Sequence, residues 1–436
     1  MDTQLLEKDF QSKEYKRSRK AYCIECAFEY FVSLLVIDAF LAKVLTAIGV
    51  GDSLIGVISS LIALSQLFQL FSVFVVQKIS NTKRFVVLFH SIGQLLFMVL
   101  YFVPFFPFAK EYNTIIAVFC ILAAYFGNYF VTNIIYNWGN SYVEPHHRAR
   151  YGATKEMISL LSGMIMTFVV GQVMDYFEAL DNLEGGFIFA AISILIFCIA
   201  DFVCLMLIKN DIKPKQEVKK AEPLRTVMKK LGSNKGFWNI LILQVLWNVA
   251  MYTTVGFLGT YRINEHELGF TVGQVAIINI VGNLGRFAFS RPFGLYADKH
   301  SYAKALRLAL IIAAASFAAG VFTTPATRYL IIAHTFLYCT CFAGMSVNML
   351  NICYSYVPKE YFVQASAIKN CVGGICGFVV SILAGMLLEH IQSNGNTFLG
   401  IPVYGQQVLS LISFVLLVGA VLFTKFVMEK EKSMIQ

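Results

Sequence analysis

Residues 142–175, YVEPHHRARYGATKEMISLLSGMIMTFVVGQVMD, return 214 positions later as residues 356–389, YVPKEYFVQASAIKNCVGGICGFVVSILAGMLLE. Aligned without gaps, Tyr142-Val143 falls on Tyr356-Val357, Ala153 on Ala367, Lys155 on Lys369, Gly163 on Gly377, Gly171 on Gly385 and Asp175 on Glu389. Both copies are long and apolar, with small residues at fixed spacing, so the chain reads as a duplicated unit of membrane-spanning helices. Twelve apolar segments can be drawn, at approximately 21–49, 54–77, 85–107, 113–138, 156–177, 186–208, 237–261, 271–293, 305–323, 329–355, 364–389 and 404–426. Each reaches or approaches the roughly 20 residues of helix that a bilayer core requires.

Composition agrees. Hydrophobic residues make up 57% of the chain, mean hydropathy is +0.66, and charged residues are only 14%, against about 25% in soluble domains. The formal charge of +9 would fit a nucleic-acid partner were the basic residues clustered on a soluble surface, but they follow topology instead. With the N-terminus inside, the inward-facing segments hold 28 of the 35 Lys and Arg, the positive-inside asymmetry of membrane proteins. The expected organisation is an all-α membrane protein with a cytoplasmic tail at 1–20, a six-helix bundle at 21–208, a cytoplasmic loop at 209–236, a second bundle at 237–426 and a cytoplasmic tail at 427–436. The loop is rich in lysine and suits the anionic headgroups of membrane lipids. A cell (inner or plasma) membrane is the expected location, with a monomer, no nucleic-acid partner and no cofactor.

The ten cysteines lie in or at the ends of spans, which argues against an external disulfide framework. Cys23-x-x-Cys26 lacks the second ligand pair of a structural metal site, and no metal ligand set or nucleophilic triad is legible in an exposed segment. An enzyme is therefore not expected.

Between segments 8 and 9 the chain reads Gly294-Leu-Tyr-Ala-Asp298-Lys299-His-Ser-Tyr-Ala-Lys304. This G-x-x-x-D-K-x-x-x-x-K string resembles the signature loop of the major facilitator superfamily. The corresponding loop between segments 2 and 3 aligns at Lys78, Ser80 and Lys83 but has Gln77 where the acidic residue belongs. The resemblance implies twelve transmembrane helices in two pseudo-symmetric six-helix bundles working by alternating access, with every third helix peripheral. The polar poverty of segments 3, 6, 9 and 12 fits that plan, apart from His90 and Asp201. It also makes Gly294, Asp298, Lys299 and Lys304 gating candidates. A carboxylate near a helix N-terminus is favoured by exposed amides and the helix dipole, so Asp298 is expected to latch onto the start of segment 5, near Arg148, Arg150 and Lys155, with Lys369 the counterpart of Lys155. Segment 5 lacks the G-x-x-x-G-P-x-x-G-G pattern of the family's proton-coupled drug antiporters.

Charge inside a membrane is costly and marks function by default. On a continuous helix at 100° per residue, Glu25, Glu29 and Lys43 fall within about 40° of one face and Asp38 nearly opposite. Glu25 lies close enough to the inner end to be solvated, and Lys43 close enough to the outer end to snorkel. Glu29 and Asp38 are then the candidate carriers of a coupling proton. Gln244, Trp247 and Asn248 in segment 7 and Asn279, Asn283 and Arg286 in segment 8 form polar faces, joined by Asn133 and Tyr136 in segment 4 and Asn348 in segment 10. Amides that donate and accept, beside flat aromatic rings, suit a hydroxylated solute. The expected function is secondary transport of a small polar organic solute, sugar- or nucleoside-like, by proton symport; the alternatives are an exporter of amphipathic or drug-like compounds, or a uniporter.

Overall fold

The computed structural model describes residues 11–65, 67–68, 81–144, 148–209, 229–358 and 361–430. Most of the central loop, Gln77 with the loop that follows it, and the side chains of Asn133, Arg148 and Arg150 lie outside the described residues. The first half contains α1 (Lys13–Leu34), α2 (Asp38–Ile48), α3 (Asp52–Ser59), α4 (Leu61–Ser65), α5 (Thr82–Leu100), α6 (Lys110–Asn140), α7 (Arg148–Ala179) and α8 (Leu183–Leu207). The second contains α9 (Lys235–Tyr252), α10 (Val255–Ile263), α11 (Val272–Lys299), α12 (Tyr302–Val321), α13 (Leu330–Tyr356), α14 (Phe362–Ser393) and α15 (Gly405–Phe426). A two-residue β-hairpin, Thr397–Phe398 with Ile401–Pro402, precedes α15.

Ten described helices are long and apolar enough to span a membrane, and α1 with α2 makes an eleventh as a bent pair. The remaining expected segment, 54–77, is described only up to residue 65 and at residues 67–68. Large side chains such as Phe119, Ile165 and Met386 are exposed, as lipid-facing residues are where hydrocarbon replaces water as the solvent.

Each half has its own core. Phe31, Leu41, Ile55, Phe97, Ile121 and Phe187 pack in the first, and Leu243, Trp247, Leu310, Phe317 and Leu417 in the second. The halves meet where α7 packs on α11, α10 on α2 and α3, and α14 on α3 and α4. The face at which α1 begins and α15 ends is the basic face.

The first expected span is not a continuous helix. The amide of Leu35 reaches back to Phe31 and Val32 and that of Val36 to Ser33, Ile37 is extended, and α2 leaves α1 at 43°. Asp38 opens α2 with φ 52°, a left-handed conformation uncommon for a non-glycine residue and frequent where strain serves function. The break rotates Asp38 away from the position a straight helix predicts. The opening span of the second half is likewise interrupted, at Thr253 and Thr254 between α9 and α10. Interrupted spans in corresponding positions of two repeats point to a binding site in transporters.

Candidate functional site

Among the described residues, polar connections join the halves at the break, at the N-terminus of α11, around Asp52 and Ser53, and at Arg286. At the break, Arg262 Nη1 donates to Asp38 Oδ2 at 2.7 Å and to Asn279 Oδ1 at 3.3 Å, while Asn279 Nδ2 donates to the same Asp38 oxygen at 2.9 Å. Arg262 Nη2 is held by Thr335 Oγ1 at 2.7 Å. The guanidinium is buried, and the Asp38 side chain is 21% exposed. Gly259 permits this approach, because a Cβ there would stand 2.6 Å from the Asp38 carbonyl.

Toward the face opposite the termini, the Asp175 carboxylate of α7 caps the N-terminus of α11. It accepts from the Gly273 amide at 3.1 Å and from Thr271 Oγ1 at 2.5 Å. Unpaired amides and the helix dipole favour an anion there. A Cβ on Gly273 would lie 2.4 Å from Asp175 Oδ2, so only glycine admits the cap. Nearby, Asp52 Oδ2 accepts from Asn264 at 2.9 Å and from Gln392 at 3.2 Å, and Ser53 donates to the Gly385 carbonyl at 2.8 Å. Glu267 is buried beside them. Desolvation, and then the Asp52 charge, push its carboxyl up to about 8, against a hydrogen bond from Gln392 that lowers it.

Nearer the basic face, Arg286 Nη2 donates to Glu156 Oε1 at 2.7 Å, with Tyr30 of α1 within electrostatic reach of both. Among the described residues, most of these connections between the halves thus lie toward the face opposite the termini. A group of tyrosines, Tyr125 and Tyr129 from α6 with Tyr252 from α9, lies between the halves near Glu29.

Among the remaining candidates, Gln244 Nε2 donates to Asn248 Oδ1 at 3.1 Å, both against Gly373 of α14, and Trp247 packs edge-on to Phe342 at 5.6 Å in the second core. Asn348 donates to the Gly344 carbonyl at 2.7 Å. Asn283 and Glu29 are half-buried. Tyr136 is exposed, with the Lys155 amine over its ring at 5.4 Å and over that of Tyr22 at 4.7 Å. Lys369, its counterpart, is 6% exposed. Asp298, Lys299 and Lys304 are exposed, Gly294 is half-buried, and Asp298 has no ion pair among the described residues. Gly163 packs on Tyr30 and Leu34 of its own half, whereas Gly171 meets Gly273 across the halves. Of these two repeat positions, only the one nearer the face opposite the termini touches the other half. Arg262, Glu156, Thr335 and Glu267 were not singled out by sequence.

A family model described as the Major Facilitator Superfamily matches residues 26–381. The chain belongs to the Major Facilitator Superfamily. It is a multi-pass membrane transporter, and the family's members are transporters of small molecules rather than enzymes. No protein with a curated description matches it. Solved structures with the same fold include a mutant of the nucleoside transporter NupG (TM-score 0.70, 14% identity, 94% of this chain and 99% of that one covered). A bacterial metal transporter (0.63, 11%, 95% and 98%) and the peptide transporter POT with sulfate (0.65, 12%, 95% and 94%) share it too. Their cargoes differ, so for this facilitator the substrate has to be argued from side chains.

Proposed function

We propose that this facilitator carries a small polar organic solute, sugar- or nucleoside-like, by proton symport, and that the described conformer faces the cytoplasm. The observation that supports this most is the shared seam: Asp38 of one half bound to Arg262 and Asn279 of the other, at a break in the span. Asp38, where the two halves meet at the break, is the first proposed proton carrier. With the basic face in the cytoplasm, a carried proton leaves inward. Glu29, half-buried on the α1 side of the break, is the second carrier. Asn283, Arg286 and the tyrosines between the halves offer the amide, cationic and aromatic contacts that a hydroxylated solute uses. The similarity to a nucleoside transporter is consistent with this reading. Lys13, Lys16, Arg17 and Lys20 line a groove of about 390 Å³ over Ile24 and Leu207, which suits anionic lipid headgroups around a monomer.

The test is uptake of radiolabelled nucleosides and sugars into proteoliposomes with and without an imposed proton gradient. Glu29→Gln is expected to abolish gradient-driven accumulation while leaving exchange at equal concentrations measurable. Wild-type accumulation in that variant would remove Glu29 from the coupling path, and no uptake of either solute class would remove the substrate assignment.

Arg286→Lys should lower uptake by about tenfold or more, because an ammonium cannot reproduce the planar fork toward Glu156 and a bound solute. The Glu156→Gln variant separates the two roles. If Arg286 serves only the ion pair, both substitutions will act alike; if it also contacts solute, Arg286→Lys alone will raise the apparent KM.

A further inference from the structure

Glu25 on α1, His90 on α5 and Asp201 on α8 are far apart in sequence and meet inside the first half. They are 0%, 0% and 1% exposed. His90 Nε2 stands 3.2 Å from Asp201 Oδ2, and one coordinating atom from each residue lies within 4.8 Å of the other two. The second observation is what these atoms lack. Glu25 Oε1, Asp201 Oδ1 and His90 Nδ1 are buried with no hydrogen-bond partner among the described residues. Gln94 Nε2, 3.5 Å from His90 Nε2, donates to Asn128 Oδ1 at 3.3 Å and leaves its own oxygen unpartnered. Cys26 Sγ donates to the other Glu25 oxygen at 3.2 Å.

Two carboxylates in a dry interior cost several kcal/mol each unless paired and hydrogen-bonded. The amine of Lys155, the lysine of α7, is engaged with the Tyr22 hydroxyl at 3.2 Å. We propose that Glu25, His90 and Asp201 form a resident site for a divalent transition metal of the zinc or manganese class. Two carboxylates and a neutral imidazole cancel the charge of one such ion. A set of one nitrogen and two carboxylate oxygens suits Mn, Fe or Zn better than calcium, which takes six to eight oxygens. Bonds of about 2.1 Å in a tetrahedral site place ligand atoms about 3.4 Å apart, so the three side chains close on an ion with small rotations. The ion would clamp the inner part of the first span to α5 and α8, leaving the break before Asp38 as the place where that span flexes.

The experiment uses the full chain purified in detergent, stripped with a chelator and titrated with zinc or manganese chloride. One ion per chain by elemental analysis is expected, with a rise in thermal midpoint that chelator reverses. His90→Gln and Asp201→Asn keep side-chain volume and should lose both. Should either variant fail to fold, X-ray absorption at the zinc edge of the wild-type protein decides: a shell of oxygen and a single imidazole supports the site. A shell containing sulfur would place the ion at Cys23 and Cys26 and overturn it. Failure to bind either metal, with a midpoint indifferent to chelator, would also overturn it and leave the trio neutralised by protons.

Discussion

Asp38→Asn will unseal the face opposite the termini. Asparagine tolerates the left-handed backbone that Asp38 adopts, so the substitution removes charge and leaves the chain path intact. What remains is a buried guanidinium facing Asn279 and Thr335, with its Nε already unpartnered. Breaking a buried ion pair by deleting one member costs about 3–5 kcal/mol, and opening to water recovers part of it. A residual 3 kcal/mol would shift the sealed-to-open ratio by about a hundredfold. The measurement is maleimide labelling of a cysteine placed at Thr260, which is 3% exposed in the seam, in a chain otherwise freed of cysteine. Labelling should accelerate strongly in Asp38→Asn, and the reversed pair Asp38→Arg with Arg262→Asp should slow it again. Unchanged labelling in Asp38→Asn would show that packing, and not this pair, closes the seam.

The fold was legible because its evidence is periodic. Apolar runs, basic-residue asymmetry and the repeat around Lys155 and Lys369 survive in one dimension. The seam was legible only in part. Asp38, Asn279 and Arg286 are polar within apolar runs and stood out for that reason, but Arg262 sits at the end of an apolar run, where a basic residue does not stand out. No helical wheel could pair it with Asp38, since the wheel assumes the continuity that Leu35 to Ile37 break. His90 and Asp201 were visible as anomalies without partners, because contact among three spans is invisible to local pattern. The carboxylate-at-helix-N-terminus argument made for Asp298 is realised at the other face by Asp175 on α11. By the repeat, Glu389 would occupy the matching place against α3, but α3 begins with Asp52, and a second carboxylate there meets like charge.

Raising the pH from 5 to 8 should open the same face, and Glu267→Gln should abolish that response. Glu267 and Asp52 line one small pocket with Phe257, Thr260, Tyr261, Leu388, Gln392 and Gln406, and Tyr261 is the only other titratable group among its lining residues. In the sealed conformer the Glu267 carboxyl is pushed up to about 8; once the seam opens, water restores its ordinary value near 4.5. The sealed conformer therefore binds the extra proton. Its advantage is complete below the ordinary value and is lost as pH rises through about 8, by up to about tenfold in the sealed-to-open ratio per pH unit between them. Glu267→Gln keeps the hydrogen-bonding shape without the charge, so it should hold the seal at pH 8 as the wild type holds it at pH 5. Asp52→Asn should act the same way in part, since it removes the smaller of the two causes of the shift. Labelling at Thr260 across this pH range reads the effect in both variants. A pH response in Glu267→Gln equal to that of the wild type would assign the sensor to another group.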